Sequence, residues 1–268
     1  MITRIFGVAL GAGCAAGIAL AVLQALITTP LILQAETYEV AGLSAPVLHQ
    51  AAGMKAVGAS AELAPYAGGL TDDGRVWLAH SPGEHDEAAG ELGFLDSMIG
   101  AWAPEDGLER TLYTSLSSIL TGFGFGLMLL AAMLLGARRI DAATGLQWGL
   151  GAFAAVALAP ALGLPPELPG SAAAELVARQ TWWVGTAVAT GLGLWLVVGR
   201  GEPLLKIAGV LLIIAPHLIG APHPHEYASR VPAELQGHFV AASMVSAAVF
   251  WAILGSALGW LWQRGETT

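Results

Sequence analysis

Charged side chains are scarce in this 268-residue chain. Asp, Glu, Lys and Arg make up 12% of it, whereas hydrophobic residues make up 55%. A soluble domain contains about 25% charged residues, so the composition argues against an ordinary soluble enzyme and against disorder. Eleven basic residues stand against twenty acidic ones, and the net charge of −9 disfavours binding to nucleic-acid phosphates.

Residues that carry common catalytic chemistry are also few. The only cysteine, Cys14, excludes an internal disulfide and any site built from several thiolates. Neither of the two lysines, Lys55 and Lys206, follows a P-loop spacing, and the sequence contains no HExxH motif. Ser117 and Ser118 lie in an apolar stretch with no histidine at the same depth to act as a base. We therefore predict that the protein is not an enzyme.

Long uncharged stretches are abundant instead. A bilayer core requires about 20 apolar residues of helix, and five stretches meet this length well, while a sixth is shorter. The stretches are 5–35, 111–137, 142–166, 180–199, 204–219 and 239–262. The sequence therefore predicts an all-α integral membrane protein with about six transmembrane helices, of which the one at 204–219 is marginal.

Basic residues in short loops predict the orientation, because such loops are cytoplasmic. If the N-terminus is cytoplasmic, six basic residues lie inside, namely Arg4, Arg138, Arg139, Arg200, Lys206 and Arg264. Only three acidic residues then lie inside, so the outer face is strongly acidic. Six spans would also return the C-terminus to the cytoplasm.

Three regions follow from this topology. Residues 1–35 form the first transmembrane helix, and residues 111–268 form a five-helix transmembrane bundle. Between them, residues 36–110 form a long extracytoplasmic loop or small cap, with thirteen acidic and three basic residues.

Small residues recur four positions apart along the apolar stretches. Such pairs allow helix backbones to approach closely in membranes. The pairs are Gly7/Gly11, Gly13/Gly17, Gly122/Gly126, Gly145/Gly149 and Gly255/Gly259. The glycines at 122–126 are also compatible with the lining of a permeation path.

Histidines cluster in the turn 216–238, which this topology places outside the membrane. Pro222 and Pro224 flank His223, and Pro224 precedes His225, which keeps both histidines out of a helix. Residues two apart in an extended chain project to the same side. Glu226 follows directly, and His217 ends the preceding helix. Imidazole with carboxylate suits Co²⁺, Ni²⁺ and Zn²⁺, although exposed loop histidines without a ligand, or a helix cap at His217, would give the same pattern.

Helices joined by a short loop are usually neighbours, so we expect the fifth and sixth helices to pack together. This would bring His217 near His238, which lies at the start of the last apolar stretch.

Acidic residues provide further candidate ligands at the outer face. Glu36 and Glu39 directly follow the first apolar stretch. The outer acids either concentrate cations near the membrane or form an ordinary solvated surface. No charged residue lies at the centre of a long apolar stretch, so a path through the membrane would use neutral oxygens such as those of Gln24, Thr28, Thr121 and Gln147.

Several segments together resemble one family of membrane proteins. They read PLILQAETYE at 30–39, WAPEDGLERT at 102–111, GLPPELPG at 163–170, RQTWW at 179–183, PHLIGAP at 216–222 and VPAEL at 231–235. With Gln24, they resemble the cobalt transporter subunit family known as CbtA. The resemblance covers nearly the whole chain except much of 51–93, and the family is usually described with five spans rather than six.

The resemblance implies a subunit of a bacterial inner-membrane Co²⁺ uptake system that supplies cobalamin synthesis. It also implies a partner, the small single-span subunit CbtB, which has a histidine-bearing tail. Co²⁺ would be the transported ion, and no cofactor is expected. An alternative is a metal-capture or assembly subunit whose partner provides the path, for Ni²⁺ or another divalent cation.

Overall fold

A computed structural model describes residues 1–38, 107–199, 202–224 and 229–265. Most of the expected acidic loop lies outside these ranges, as do the candidate ligands Glu39, His225 and Glu226. Within the described ranges the regular secondary structure is helical. Its helices are α1 (Ile2–Tyr38), α2 (Leu108–Gly136), α3 (Ala142–Ala161), α4 (Leu176–Gly199), α5 (Pro203–Ile219) and α6 (Ala233–Arg264).

Five of these helices are long and apolar enough to cross a bilayer, and α5, with 17 residues, is shorter. The prediction of an all-α membrane protein with five strong spans is confirmed, and the marginal sixth span at α5 stays a prediction. Two helices contain a π-helical turn, at Gln24–Thr28 in α1 and at Ala154–Leu158 in α3.

Helix ends differ from the predicted stretches at the outer side. Helix α3 ends at Ala161 instead of continuing to Pro166, and residues 162–163 form a turn. The next residue, Leu164, precedes Pro165 and therefore disfavours the helical conformation. Helices α4 and α6 begin four and six residues earlier than predicted, at Leu176 and Ala233. Their first turns include polar residues such as Glu234, and a helix can continue beyond the hydrocarbon wherever water solvates such side chains.

Contacts between the described helices give their order in space. Helix α1 packs between α2 and α6, and α6 packs against α3 on its other side. Helix α3 contacts α4, and α4 contacts α5, so the order is α2–α1–α6–α3–α4–α5. The first helix is therefore part of the same bundle as the other five, and α5 lies at one edge.

Close glycine contacts join three of these helix pairs. A Cβ atom on Gly13 would collide with the backbone of α2 at Gly122, and one on Gly145 would collide with the carbonyl oxygen of Gly255 in α6. The predicted close packing is confirmed at these glycines. It is wrong at Gly7, where a Cβ would have no neighbour within 4 Å. Between α4 and α5, Gly193 contacts the carbonyl oxygen of Gly209 in the same way.

Helix α5 runs antiparallel along α4 and reaches the end at which α4 begins. The Trp182 Nε1–H near the start of α4 donates to the Pro216 carbonyl near the end of α5, at 3.3 Å. At the opposite end of the bundle, the Arg4 guanidinium donates to the carbonyl of Trp262 and stacks on its ring. Because residues 4 and 262 lie together, the chain passes along the bundle an even number of times.

Asp141 caps helix α3 at the end where Arg4 lies. Its Oδ1 accepts from the Thr144 backbone N–H at 2.9 Å, and its Oδ2 lies 3.3 Å from Arg139 Nε. The hydrogen bond from the Thr144 backbone, then that from the Thr144 hydroxyl, holds the pKa of the Asp141 carboxyl below its ordinary value. Arg139 adds to this effect, while desolvation opposes it.

Candidate functional site

His217 lies in the last turn of α5, half-buried against α4. Its ring meets that of Trp182 edge to face, with centroids 6.0 Å apart and planes at 73°, a favourable arrangement for two aromatic rings. The same Trp182 holds the preceding carbonyl through its indole N–H. The imidazole is therefore held at the C-terminal end of α5 by a tryptophan from α4.

The other candidate histidines are less constrained. His223 is exposed in the turn after α5, and His238 is exposed in the second turn of α6. The expectation that α5 and α6 pack together is wrong: α5 contacts α4, whereas α6 contacts α1 and α3. In the described ranges no group of three His, Cys, Asp or Glu side chains is close enough to hold a metal ion. Because His225 and Glu226 lie outside those ranges, the predicted metal site in this turn stays a prediction.

Glu36 already has a cationic partner. Its Oε1 accepts from Arg110 Nη2 at 3.1 Å, and both side chains are partly exposed. This ion pair ties the C-terminal end of α1 to the start of α2. A divalent cation bound by Glu36 would therefore compete with the guanidinium of Arg110.

A second ion pair lies at the same end, where the loop between α3 and α4 is fixed. Glu167 Oε2 lies 2.8 Å from Arg179 Nη2. The loop is held by Gln236 of α6, whose Oε1 accepts from the Leu168 N–H and whose Nε2 donates to the Pro166 carbonyl. Sequence reasoning did not select these residues, although Glu167 and Arg179 both lie in segments that carry the family resemblance.

Polar side chains line an open groove of about 400 Å³ between α1 and α2. We call it the outer groove, after the side on which the predicted topology places it; its lining consists of Leu20, Gln24, Tyr113, Thr114, Ser117, Ser118 and Thr121. The neutral residues proposed for a path are partly brought together here, since Gln24 and Thr121 line the groove. Thr28 is buried one turn further along the π-helical segment, where its hydroxyl lies 3.3 Å from the Gln24 carbonyl. Gln147 lies on α3 and does not line it.

Four groove residues were missed as path candidates in the sequence, namely Tyr113, Thr114, Ser117 and Ser118. Single serines and threonines are common in membrane helices and usually bond their own backbone, so each alone carries little information. The available signal was their spacing, because residues three and four apart share one helix face.

The fold and these features define a polytopic membrane protein, in which two apolar helices border an open groove with polar side chains and two ion pairs lie at one end of the bundle. Residues 2–263 match the family described as probable cobalt transporter subunit (CbtA). The chain therefore belongs to this family. Comparisons with curated proteins and with solved structures gave no match.

Proposed function

We propose that this chain is the transmembrane subunit of a bacterial inner-membrane Co²⁺ uptake system that supplies cobalamin synthesis. The observation that carries the proposal is the family match, which extends over almost the entire helix bundle. Membership of a transporter subunit family also supports a role in transport rather than in catalysis. Co²⁺ is the transported ion in this proposal.

Co²⁺ first binds in the outer turn, at His217, His223, His225 and Glu226. Imidazole and carboxylate groups are suitable ligands for this ion. Support comes from His217, which is held at the end of α5, and from His223, which is exposed six residues further along the chain. Glu36 and Glu39 form a second group of acidic ligands, and the pairing of Glu36 with Arg110 makes them the weaker group.

The partner in this proposal is a small single-span subunit with a histidine-bearing tail, of the CbtB type. The word subunit in the family description supports the existence of a partner. Both termini are placed in the cytoplasm, because basic residues collect at the end of the bundle that holds Arg4 and Arg264.

A second candidate is a subunit that captures the metal ion or assembles the transport complex. Its partner then provides the path for Co²⁺, Ni²⁺ or another divalent cation. The charge distribution favours it: Arg4 and Lys206 lie near the ends of their helices, and no Asp, Glu, Lys, Arg or His lies at the middle of any described helix. Proton-coupled transporters usually contain such groups at membrane depth.

Uptake of radioactive Co²⁺ separates the two candidates. Cells without another cobalt importer are given this chain, the partner, both, or neither. A transport subunit should be needed for uptake at every Co²⁺ concentration, and unlabelled Co²⁺ should compete better than Ni²⁺ or Zn²⁺. A capture subunit should become dispensable at high Co²⁺. Uptake that is the same with and without the chain would contradict both.

A further inference from the structure

We propose that the outer groove is a water-filled passage through which a hydrated divalent cation enters the outer half of the membrane. This inference rests on the proposed transport of Co²⁺ and assigns the first part of its route. It is carried by the composition of the groove, its depth, and the way its wall is held.

The composition of the groove differs from that of the bundle. Six of its seven lining residues have polar side chains, and Leu20 is the exception, in a chain that is 55% hydrophobic. At membrane depth, polar side chains usually line aqueous cavities or bind other polar groups, because hydrocarbon cannot form hydrogen bonds. Tyr113, Thr114, Ser117 and Thr121 are exposed at the surface of the bundle, and the proposal assigns water rather than lipid to this surface.

The depth of the groove follows from its distance along α2. The ion pair between Arg110 and Glu36 lies at the outer end of α1 and α2. At 1.5 Å of rise per residue, Thr114 lies about 6 Å and Thr121 about 16 Å further into the bundle than Arg110. Since the hydrocarbon core is about 30 Å thick, the groove extends from the outer boundary to about its middle.

The wall of the groove is fixed by the polar contacts of Ser118. This side chain is 6% exposed, and its Oγ lies 2.9 Å from both Gln24 Oε1 and the Thr114 carbonyl oxygen. Gln24 begins the π-helical turn of α1, a feature that is frequent at functional sites. The amide of Gln24 is therefore positioned at the groove by α2.

The volume and the charge of the groove suit a hydrated ion. One water needs about 10–15 Å³ of cavity volume, so the groove has room for several. Its hydroxyl and amide groups are neutral and can hydrogen-bond the water shell without holding the metal tightly. Conduction requires such weak binding, because an ion that binds too strongly does not leave.

Cysteine accessibility tests the presence of water. In a Cys14→Ala background, Ser117→Cys and Thr121→Cys place a thiol in the groove, while Leu116→Cys and Leu120→Cys provide controls. The two leucines lie at similar depth on an adjoining apolar strip of α2 and do not line the groove, and they are 52% and 60% exposed. A charged, membrane-impermeant methanethiosulfonate reagent is added from the outside.

We expect the groove cysteines to react at least about tenfold faster than the leucine-site cysteines, because only a thiolate in water reacts readily. Equal rates at all four positions would overturn the proposal and indicate that lipid or another helix covers the groove. Faster reaction from the cytoplasmic side alone would overturn its outward opening. The measurement needs no Co²⁺ flux, so it stands even if the chain transports another ion or none.

Uptake then tests whether the water-filled groove is the route. Thr121→Val removes a hydroxyl at constant shape, and we expect it to lower Co²⁺ uptake several-fold. Ser115→Ala is the matched control, since Ser115 bonds the Thr111 carbonyl at 2.7 Å and does not line the groove. If the groove is accessible to the reagent but Thr121→Val leaves uptake unchanged at equal membrane abundance, the assignment of the route is wrong.

Discussion

At the residue scale, the side chain of His217 is the best-defined candidate ligand, because Trp182 holds it at the outer end of α5. We expect His217→Ala to lower Co²⁺ uptake more than His80→Ala, which changes a histidine in the long acidic segment outside the family-like motifs. A metal ligand must offer a free nitrogen lone pair, and alanine offers none. Uptake is measured alongside the amount of protein in the membrane.

The conservative change His217→Gln separates a ligand from a helix cap. Glutamine can still hydrogen-bond at the end of α5 but is a poorer ligand for Co²⁺, so it should restore stability without restoring uptake. If His217→Ala and the double change His223→Ala with His225→Ala all leave uptake at the unmodified level, the outer turn is not the metal site. The next candidates would then be Glu36 and Glu39.

Asp141 gives a prediction for pH dependence at the other end of the bundle. Its pKa is lowered in the folded protein, so its contribution to stability is present above the pKa of the unfolded chain. That contribution is lost as the pH falls through the lower, folded value. Thermal unfolding in detergent should therefore show a larger fall in Tm on acidification for the unmodified protein than for Asp141→Asn.

Asparagine is a good helix cap, so Asp141→Asn should keep most of the stability of α3 at neutral pH. Asp141→Ala removes the bond to the Thr144 N–H and should lower Tm there. Other carboxylates are the same in all three proteins and cancel in the comparison. Parallel acid curves for Asp141→Asn and the unmodified protein would contradict the prediction.

At the scale of helices, glycine contacts determine how closely two backbones approach. A Cβ atom at Gly145 or Gly255 would collide with the backbone of the facing helix. Overpacking of this kind destabilises by about 1–3 kcal/mol, so Gly145→Ala and Gly255→Ala should each lower Tm. The matched controls are Gly7→Ala and Gly151→Ala, where a Cβ meets nothing within 4 Å.

These controls should match or exceed the unmodified Tm, because alanine favours a helix over glycine by about 1 kcal/mol. Equal losses at all four positions would show that the contacts between α3 and α6 do not determine stability. Gly122 and Gly126 belong to the first group, since they contact Gly13 and Ala9 of α1. Packing thus accounts for them without a permeation path.

The helices themselves could be predicted because uncharged runs of about 20 residues have few other uses in a protein. Their ends could not, because the first residues of α4 and α6, at Leu176–Arg179 and Ala233–His238, lie before the uncharged runs and include Arg179, Glu234 and His238. Local composition does not distinguish such turns from loops. The outer groove was predicted only in part, since it depends on a contact between Gln24 and Ser118, 94 residues apart.

At the scale of the whole molecule, the order of helices in space was not predictable from loop length. The short connection after α5 suggested that α5 and α6 are neighbours, yet α6 packs between α1 and α3. Small-residue pairs occur on α1, α2, α3 and α6 alike, so the sequence does not say which of these helices pair. Backbone complementarity between particular glycines decides it, as at Gly145 and Gly255.

The topology yields a final prediction. Residues 4 and 262 lie at one end of the bundle, and this end contains most of the basic residues in short loops, including Arg138 and Arg139. By the positive-inside rule it faces the cytoplasm. A reporter that is active only outside the cytoplasm should therefore give no signal when it is fused after Thr268.

The same reporter inserted between Gly68 and Gly69, in the acidic segment between α1 and α2, should be active. The pair of fusions tests the short helix α5 in particular. If α5 does not cross the membrane but α6 does, the reporter should be active at both positions. The two positions would then give opposite results only if α6 also failed to cross, which would expose an apolar helix of 32 residues to water. Strong activity at Thr268 would therefore overturn the six-helix arrangement, and with it the placement of the histidine turn on the outer face.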